Sequence, residues 1–213
     1  MALADSHLGT FLRGARTYVQ GTQLLARTAE RVPGPGVTLE QVVFSQITDH
    51  DAIVFDAGAT LPGNADVLGR CRFDTQNGPM DLVWIAAESE APRKDEDMNI
   101  AFSISGELPD DASIAFSQID SLEDMLNVLV QGLKSHHARH FAGATDIWFT
   151  GLRKAALPVV WPSDLNAGEM LVSQFREQDH NGQIQTMCRA DIRFASAESL
   201  SAYVNFACKW ERS

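Results

Sequence analysis

Apolar and polar positions alternate along most of this chain with the period of a strand, and only two stretches read as helix. Thr10 to Arg31 has no proline, is rich in helix formers toward its end (LLARTAER), and stops before Pro33-Gly34-Pro35-Gly36, which cannot continue a helix. It is the first predicted helix. From Val37 the β-branched and aromatic content rises: VTLEQVVFSQ and AIVFDA flank the turn Thr48-Asp49-His50-Asp51, and DVLGRCRFD and MDLVWIAAE flank Gln76-Asn77-Gly78-Pro79. An Asn-Gly pair between two such runs predicts a hairpin, because both residues tolerate positive φ. NIAFSISG is a further strand, and the polar, proline-containing ELPDD that follows is the best boundary between two units, 1–109 and 110–213.

The second half repeats this order. SIAFSQI predicts a short strand, and Asp120 or Ser121 caps a second helix from Leu122 to Phe141, with Glu123 and Asp124 in its favourable first turn. TDIWFTGLRKA reads as strand and PVVWPSDLNAG as loop. EMLVSQFREQDHNGQIQTMCRADIRFA reads as a long hairpin turning at Asn181-Gly182, and LSAYVNFACKW as a closing strand. Val19-Gln20-Gly21 and Val130-Gln131-Gly132 add a shared triplet. Helix, strand, proline-led loop, Asn-Gly hairpin and closing strand thus occur twice, the order expected of a duplicated unit.

Composition narrows the function. Apolar residues make up 45% of the chain, enough for an ordinary core. Seventeen Lys and Arg against twenty-eight Asp and Glu give a net charge of −11, which excludes a nonspecific binder of nucleic acid or anionic membrane. Cys71, Cys188 and Cys208 are odd in number and form no CxxC pair, so neither a disulfide framework nor a thiolate zinc site is expected, and a reducing compartment fits. With no leader-like start and no long apolar run, the expectation is a cytoplasmic protein without a membrane span.

At 100° per residue, Arg16, Gln20, Gln23 and Arg27 fall on one face of the first predicted helix, and Asn127, Gln131 and Lys134 repeat that spacing on the second. Each stripe is either a polar wall of a ligand groove or a face turned to solvent or to the other repeat. His136, His137 and His140 lie in the last turns of the second helix, where protonated imidazole is favoured; without an HExxH pattern they read as surface or capping groups rather than metal ligands, and no metal is expected. Asp49-His50-Asp51 and Asp179-His180-Asn181 read as turn formers. Thr145 and Asp146, at the start of the strand after the second helix, are placed to reach the end of a groove. The cysteines read as small buried hydrophobes, and the four tryptophans as core or groove lining.

A helix of about 20 residues wrapped by a long antiparallel sheet resembles the hotdog fold. Two such units in one chain resemble the double hotdog, an α+β architecture with two central helices each inside a curved sheet. LNVLVQG (Leu126 to Gly132) is similar to the central-helix segment of the β-hydroxyacyl-carrier-protein dehydratases, and LRKAALPVVWPSD (Leu152 to Asp164) to their strand leading into a Pro-Gly-Asp loop. The resemblance covers most of residues 113–210. It implies an acyl-thioester ligand on coenzyme A or acyl carrier protein, no cofactor, and either a monomeric pseudo-dimer or a homodimer.

The sequence departs from that family at its chemical positions. The place of the family's helix carboxylate holds Asn127, with Arg16 at the corresponding place in the first half, and the family's glutamine appears as Gln131 and Gln20. The upstream catalytic histidine has no counterpart in SIAFSQIDSLED. Without that acid and base, dehydration is not expected. The resemblance then implies thioester binding, with hydrolysis through Asn127, Gln131 and Asp146 as catalytic candidates, and Arg16, Gln20, Gln23, Arg27 and Lys134 as ligand-binding candidates. The alternatives are a non-catalytic binding or scaffold protein of lipid or polyketide metabolism, and a dehydratase-like protein with a degenerate site.

Overall fold

The computed structural model describes residues 6–16, 18–32, 34–95, 100–180 and 183–210. The chain divides into two compact units, Met1–Asn99 with Pro158–Val160, and Ile100–Leu157 with Trp161–Ser213.

In the first unit, β1 (Ser6–His7), β4 (His50–Asp56), β6 (Gly78–Glu90), β5 (Val67–Thr75) and β3 (Thr38–Phe44) lie side by side in that order, every neighbouring pair antiparallel. The short β2 (Leu12–Arg13) and β7 (Arg93–Lys94) pair in parallel. The β5–β6 hairpin closes at Thr75 and Gly78 around the expected turn, with Gly78 at φ 100°. The runs on either side of Thr48–Asp51 are strands but not partners: β3 pairs with β5 and β4 with β6.

The first helix, α1, is much shorter than its pattern predicts, spanning Gly21–Ala29 rather than Thr10–Arg31. Residues 10–20 lack proline and so look helical in sequence, but Gly9 and Gly14 hold φ of 65° and 56°, and the backbone N–H groups of Leu12, Gly14 and Val19 bond to Pro92, Lys94 and Thr48 carbonyls. Those tertiary bonds replace the helical ones. Helix α1 buries Leu24, Leu25, Ala26 and Ala29. It is tied to the sheet by Thr28, whose hydroxyl donates to Leu24 O at 2.7 Å and accepts the Trp84 indole N–H at 2.8 Å. Trp84 is fully buried and stacks on Phe44, ring centroids 5.6 Å apart. The Phe44 ring also lies so close to Gly21 that a Cβ there would meet it at 2.6 Å.

In the second unit, β10 (Asp146–Pro158), β13 (Ser199–Lys209), β12 (Gln183–Phe194), β11 (Gly168–His180), β9 (Ser113–Ser117) and β8 (Ala101–Ser105) form an antiparallel series in that order. The β11–β12 hairpin is present, and its predicted Asn181-Gly182 turn falls outside the described residues. Helix α2 (Leu122–His140) starts where the sequence places it. Ser121 caps it: its hydroxyl accepts from Asp124 N at 3.1 Å and donates to Asp124 Oδ2 at 2.6 Å, and the same carboxylate oxygen accepts the Asp120 N–H at 3.3 Å.

Helix α2 is buried on several sides, including Met125, Leu126, Leu129, Leu133 and both His136 and His137. Gly132 lets it approach β9, a Cβ there falling 2.7 Å from Ile114 Cδ1. The two Val-Gln-Gly triplets therefore mark different places, since Gly21 opens α1 while Gly132 lies in mid-helix. The three cysteines are buried, and burial pushes the Cys188 thiol up to about 12 and Cys208 to about 11.

Candidate functional site

The α2 stripe survives as a continuous face. Asn127 is 1% exposed, while Gln131 and Lys134, one and two turns on, are half-buried. The Asn127 side of the helix is thus covered rather than turned to solvent. Asp146 is exposed at the first position of β10, opposite Lys209, and Thr145 donates its hydroxyl to Lys209 O at 3.1 Å.

The four polar residues assigned to the first helix do not share a helical face, because only Gln23 and Arg27 lie within α1. Gln20 is its N-cap, and Arg16 precedes it in irregular chain. The two are nevertheless brought together: with its carboxamide oxygen toward the guanidinium, Gln20 accepts from Arg16 Nε at 3.0 Å and Nη1 at 3.3 Å. Gln23, 1% exposed, accepts the Phe11 backbone N–H at 2.9 Å and so fastens the segment before the helix. Arg27 is half-buried and pairs with Glu30 at 3.3 Å.

Two of the three histidines of α2, His136 and His137, are not the surface groups their position suggests, while His140 is exposed. His137 is fully buried, with Nδ1 2.8 Å from Leu133 O and Nε2 2.7 Å from Thr186 Oγ1. A carbonyl only accepts, so Nδ1 carries the proton and the Thr186 hydroxyl donates to Nε2. Burial pushes its pKa down to about 4, opposed by the Leu133 bond and reinforced by His140 and His136, which keeps the ring neutral at pH 7. His136 is 1% exposed; its Nε2 donates to Ser113 O at 3.1 Å, and Nδ1 has no hydrogen-bond partner among the described residues. His140 packs edge-on to Phe141 and Phe175 and lies 3.7 Å from Glu177. Among the described residues, no cluster of His, Cys, Asp and Glu is arranged to hold a metal ion.

The first unit contains an aspartate–histidine pair of a different kind. Asp51 is buried; its Oδ1 accepts from Thr10 N (2.8 Å), Thr10 Oγ1 (2.6 Å) and Ala52 N (2.8 Å), leaving Oδ2 3.2 Å from His7 Nδ1. Burial pushes the Asp51 carboxyl up, but the bonds from Thr10, Ala52 and His7 outweigh it and hold it below its ordinary value. A charged carboxylate thus fixes the imidazole of His7, the arrangement that makes the far ring nitrogen a hydrogen-bond acceptor or a base. His7 lines a groove of about 920 Å³ that also contains His50, whose Nδ1 lies 2.9 Å from Asp49 Oδ1. Asp49-His50-Asp51, expected as a turn, instead enters β4 at His50 and forms side-chain pairs, one of them to a residue 44 positions away.

The backbone matches a solved hotdog-fold protein of unknown function from Alicyclobacillus acidocaldarius over 99% of this chain and 93% of that one, with a TM-score of 0.53 at 7% identity. The chain has the hotdog fold. A second hotdog match is the tesB protein of Mycobacterium avium subs paratuberculosis, with a TM-score of 0.51 at 7% identity over 93% of this chain and 90% of that one. No family model matches the sequence. No curated protein matches it either. Among the described residues no helix of this hotdog chain is long and apolar enough to cross a membrane.

What sequence reasoning missed in this chain is long-range. The partner of His7 lies across β1 and β4, and no local spacing signals it. The burial of His136 and His137 is invisible in a helical wheel when a helix has cover on opposite sides.

Proposed function

We propose that this hotdog protein binds an acyl thioester of coenzyme A or an acyl carrier protein along the α2 stripe and hydrolyses it. The observation that carries the reading is Asn127: a carboxamide held 1% exposed on a helix otherwise filled with Leu, Met and Val, at the position that resembles the dehydratases' helix carboxylate. Burying a carboxamide is costly unless its hydrogen bonds are used. The N–H donors of Gln131, half-buried one turn on, suit a thioester carbonyl, whose oxygen gains negative charge as water adds to the carbon, and Asn127, itself engaged within the protein, lines the same face. Asp146 is the carboxylate of the set and takes the proton from that water; the C–S bond then breaks and the thiolate leaves with a proton. In the second unit Lys134 offers its ammonium to the phosphates of the carrier; within the first unit by itself Arg16, Gln20 and Arg27 are the ligand-binding candidates, while Gln23 positions the chain around Phe11. Each compact unit is proposed to be one hotdog repeat, the two following in tandem, in a protein that resides in the cytoplasm.

A second reading, binding without turnover, is favoured by the same residue. Asn127 cannot exchange a proton as a carboxylate does, and no histidine precedes α2 in SIAFSQIDSLED. Free thiol release from a panel of acyl-CoA thioesters, slowed about 100-fold in Asn127→Ala and Gln131→Ala, supports hydrolysis. Thermal stabilisation by acyl-CoA with no thiol release supports binding alone. If acyl-CoA neither stabilises the protein nor is hydrolysed, both readings fail.

A further inference from the structure

The groove of the first unit has features that the thioester reading does not use. Its volume of about 920 Å³ is that of a small-molecule site. Exposed Ile47 and half-buried Ile53 give it apolar lining, and its polar lining includes Asp49, Asp66 and Glu88. No lysine or arginine lines it among the described residues. The carboxylates of Asp49, Asp66 and Glu88 disfavour a phosphate or carboxylate there, although Arg31 donates to the His7 backbone carbonyl at the edge of the lining. On one wall stands His7, its side chain 60% exposed and its Nδ1 committed to the buried Asp51. With Nδ1–H directed at that carboxylate, the other ring nitrogen of the neutral imidazole is the hydrogen-bond acceptor. The ring is fixed by a carboxylate that is itself held by three donors, so the acceptor is preorganised rather than free to rotate.

We propose that this groove is a second binding site, which takes an amphiphilic amine: an alkylammonium whose N–H donates to His7 and whose hydrocarbon lies over Ile47 and Ile53. Three properties of the groove converge on that ligand. The acceptor on the wall requires a donor, the carboxylates prefer a cation, and the apolar lining requires a hydrocarbon portion. No covalent step is involved. The site is built from the first unit alone and does not depend on the α2 stripe.

The test uses the full chain with octylammonium, octanol and octyl phosphate as probes, read by thermal stabilisation and by the imidazole resonances of His7. Octylammonium is expected to stabilise the protein and shift the His7 resonances, and to bind at least tenfold more tightly than octanol or octyl phosphate. His7→Ala and Glu88→Gln, both at exposed positions, are each expected to weaken it at least tenfold. Equal binding of the three probes, undisturbed His7 resonances, or unchanged affinity in His7→Ala overturns the proposal. Thiol release from acyl-CoA is a separate readout, so failure here and failure of the thioester reading are distinguishable.

Discussion

Thr186 Oγ1 on β12 donates to His137 Nε2 on α2 across 2.7 Å, both groups buried. The bond requires a neutral imidazole, and burial holds the His137 pKa at about 4 against an ordinary 6.5. Between those values the unfolded chain binds a proton that the folded chain refuses. The contribution of His137 to stability is therefore complete above pH 6.5 and is lost as pH falls toward 4, by about 3 kcal/mol in all. Urea denaturation from pH 7.5 to 4 is expected to show this loss in the wild type. His137→Leu, less stable at neutral pH because Thr186 loses its acceptor, is expected to give a flatter profile. Parallel profiles for the two proteins would rule out His137 as the titrating group.

The Trp84–Thr28 bond makes a separate prediction about the first unit. Thr28→Val keeps the side-chain shape but leaves the buried indole N–H without its acceptor, at a cost of about 1–3 kcal/mol. Thr28→Ser keeps the hydroxyl and is expected to lose less than about 1 kcal/mol. Denaturation followed by Trp84 fluorescence distinguishes them. Equal losses would place the effect in packing rather than in the hydrogen bond.

Gly132 tests how closely α2 is pressed to its sheet. Glycine to alanine inside a helix ordinarily stabilises by about 1 kcal/mol. Here the new Cβ would stand 2.7 Å from Ile114 Cδ1 and 3.0 Å from Cγ2, and overpacking of that kind costs roughly 1–3 kcal/mol. Gly132→Ala is expected to destabilise by about 1 kcal/mol, and to become stabilising in an Ile114→Ala background. A double-mutant cycle by urea denaturation measures the coupling. If Gly132→Ala stabilises the wild-type protein as well, the close approach does not hold.

The strands and α2 were legible because their signals are local. Ser121 and Asp124 cap α2, and the alternation of β5, β6, β11, β12 and β13 sets one face of each strand inward. Helix α1 was overextended because the absence of proline says nothing about where backbone N–H groups find their acceptors. Leu12, Gly14 and Val19 find theirs on other segments. The shared helical face expected of Arg16 and Gln20 does not form; the two meet instead just before α1, where Gln20 is the N-cap. The Asp49-His50-Asp51 triplet looked like turn chemistry, since a sequence shows the neighbours of Asp51 but not His7 on a strand beside it. Histidines near a helix end ordinarily face water. His136 and His137 do not, because the sheet covers them through Ser113, Thr186 and Phe206.

The central claim is that the stripe of Asn127 and Gln131 holds the acyl thioester. Its most direct test is the equilibrium affinity of a non-hydrolysable acyl-CoA thioether, measured by calorimetry on the wild type and on Gln131→Leu. Gln131 is half-buried, so this change removes the carboxamide while keeping the side chain's bulk. The account predicts binding by the wild type and at least a tenfold loss in Gln131→Leu with the fold intact. Equal affinity in the two proteins would contradict it.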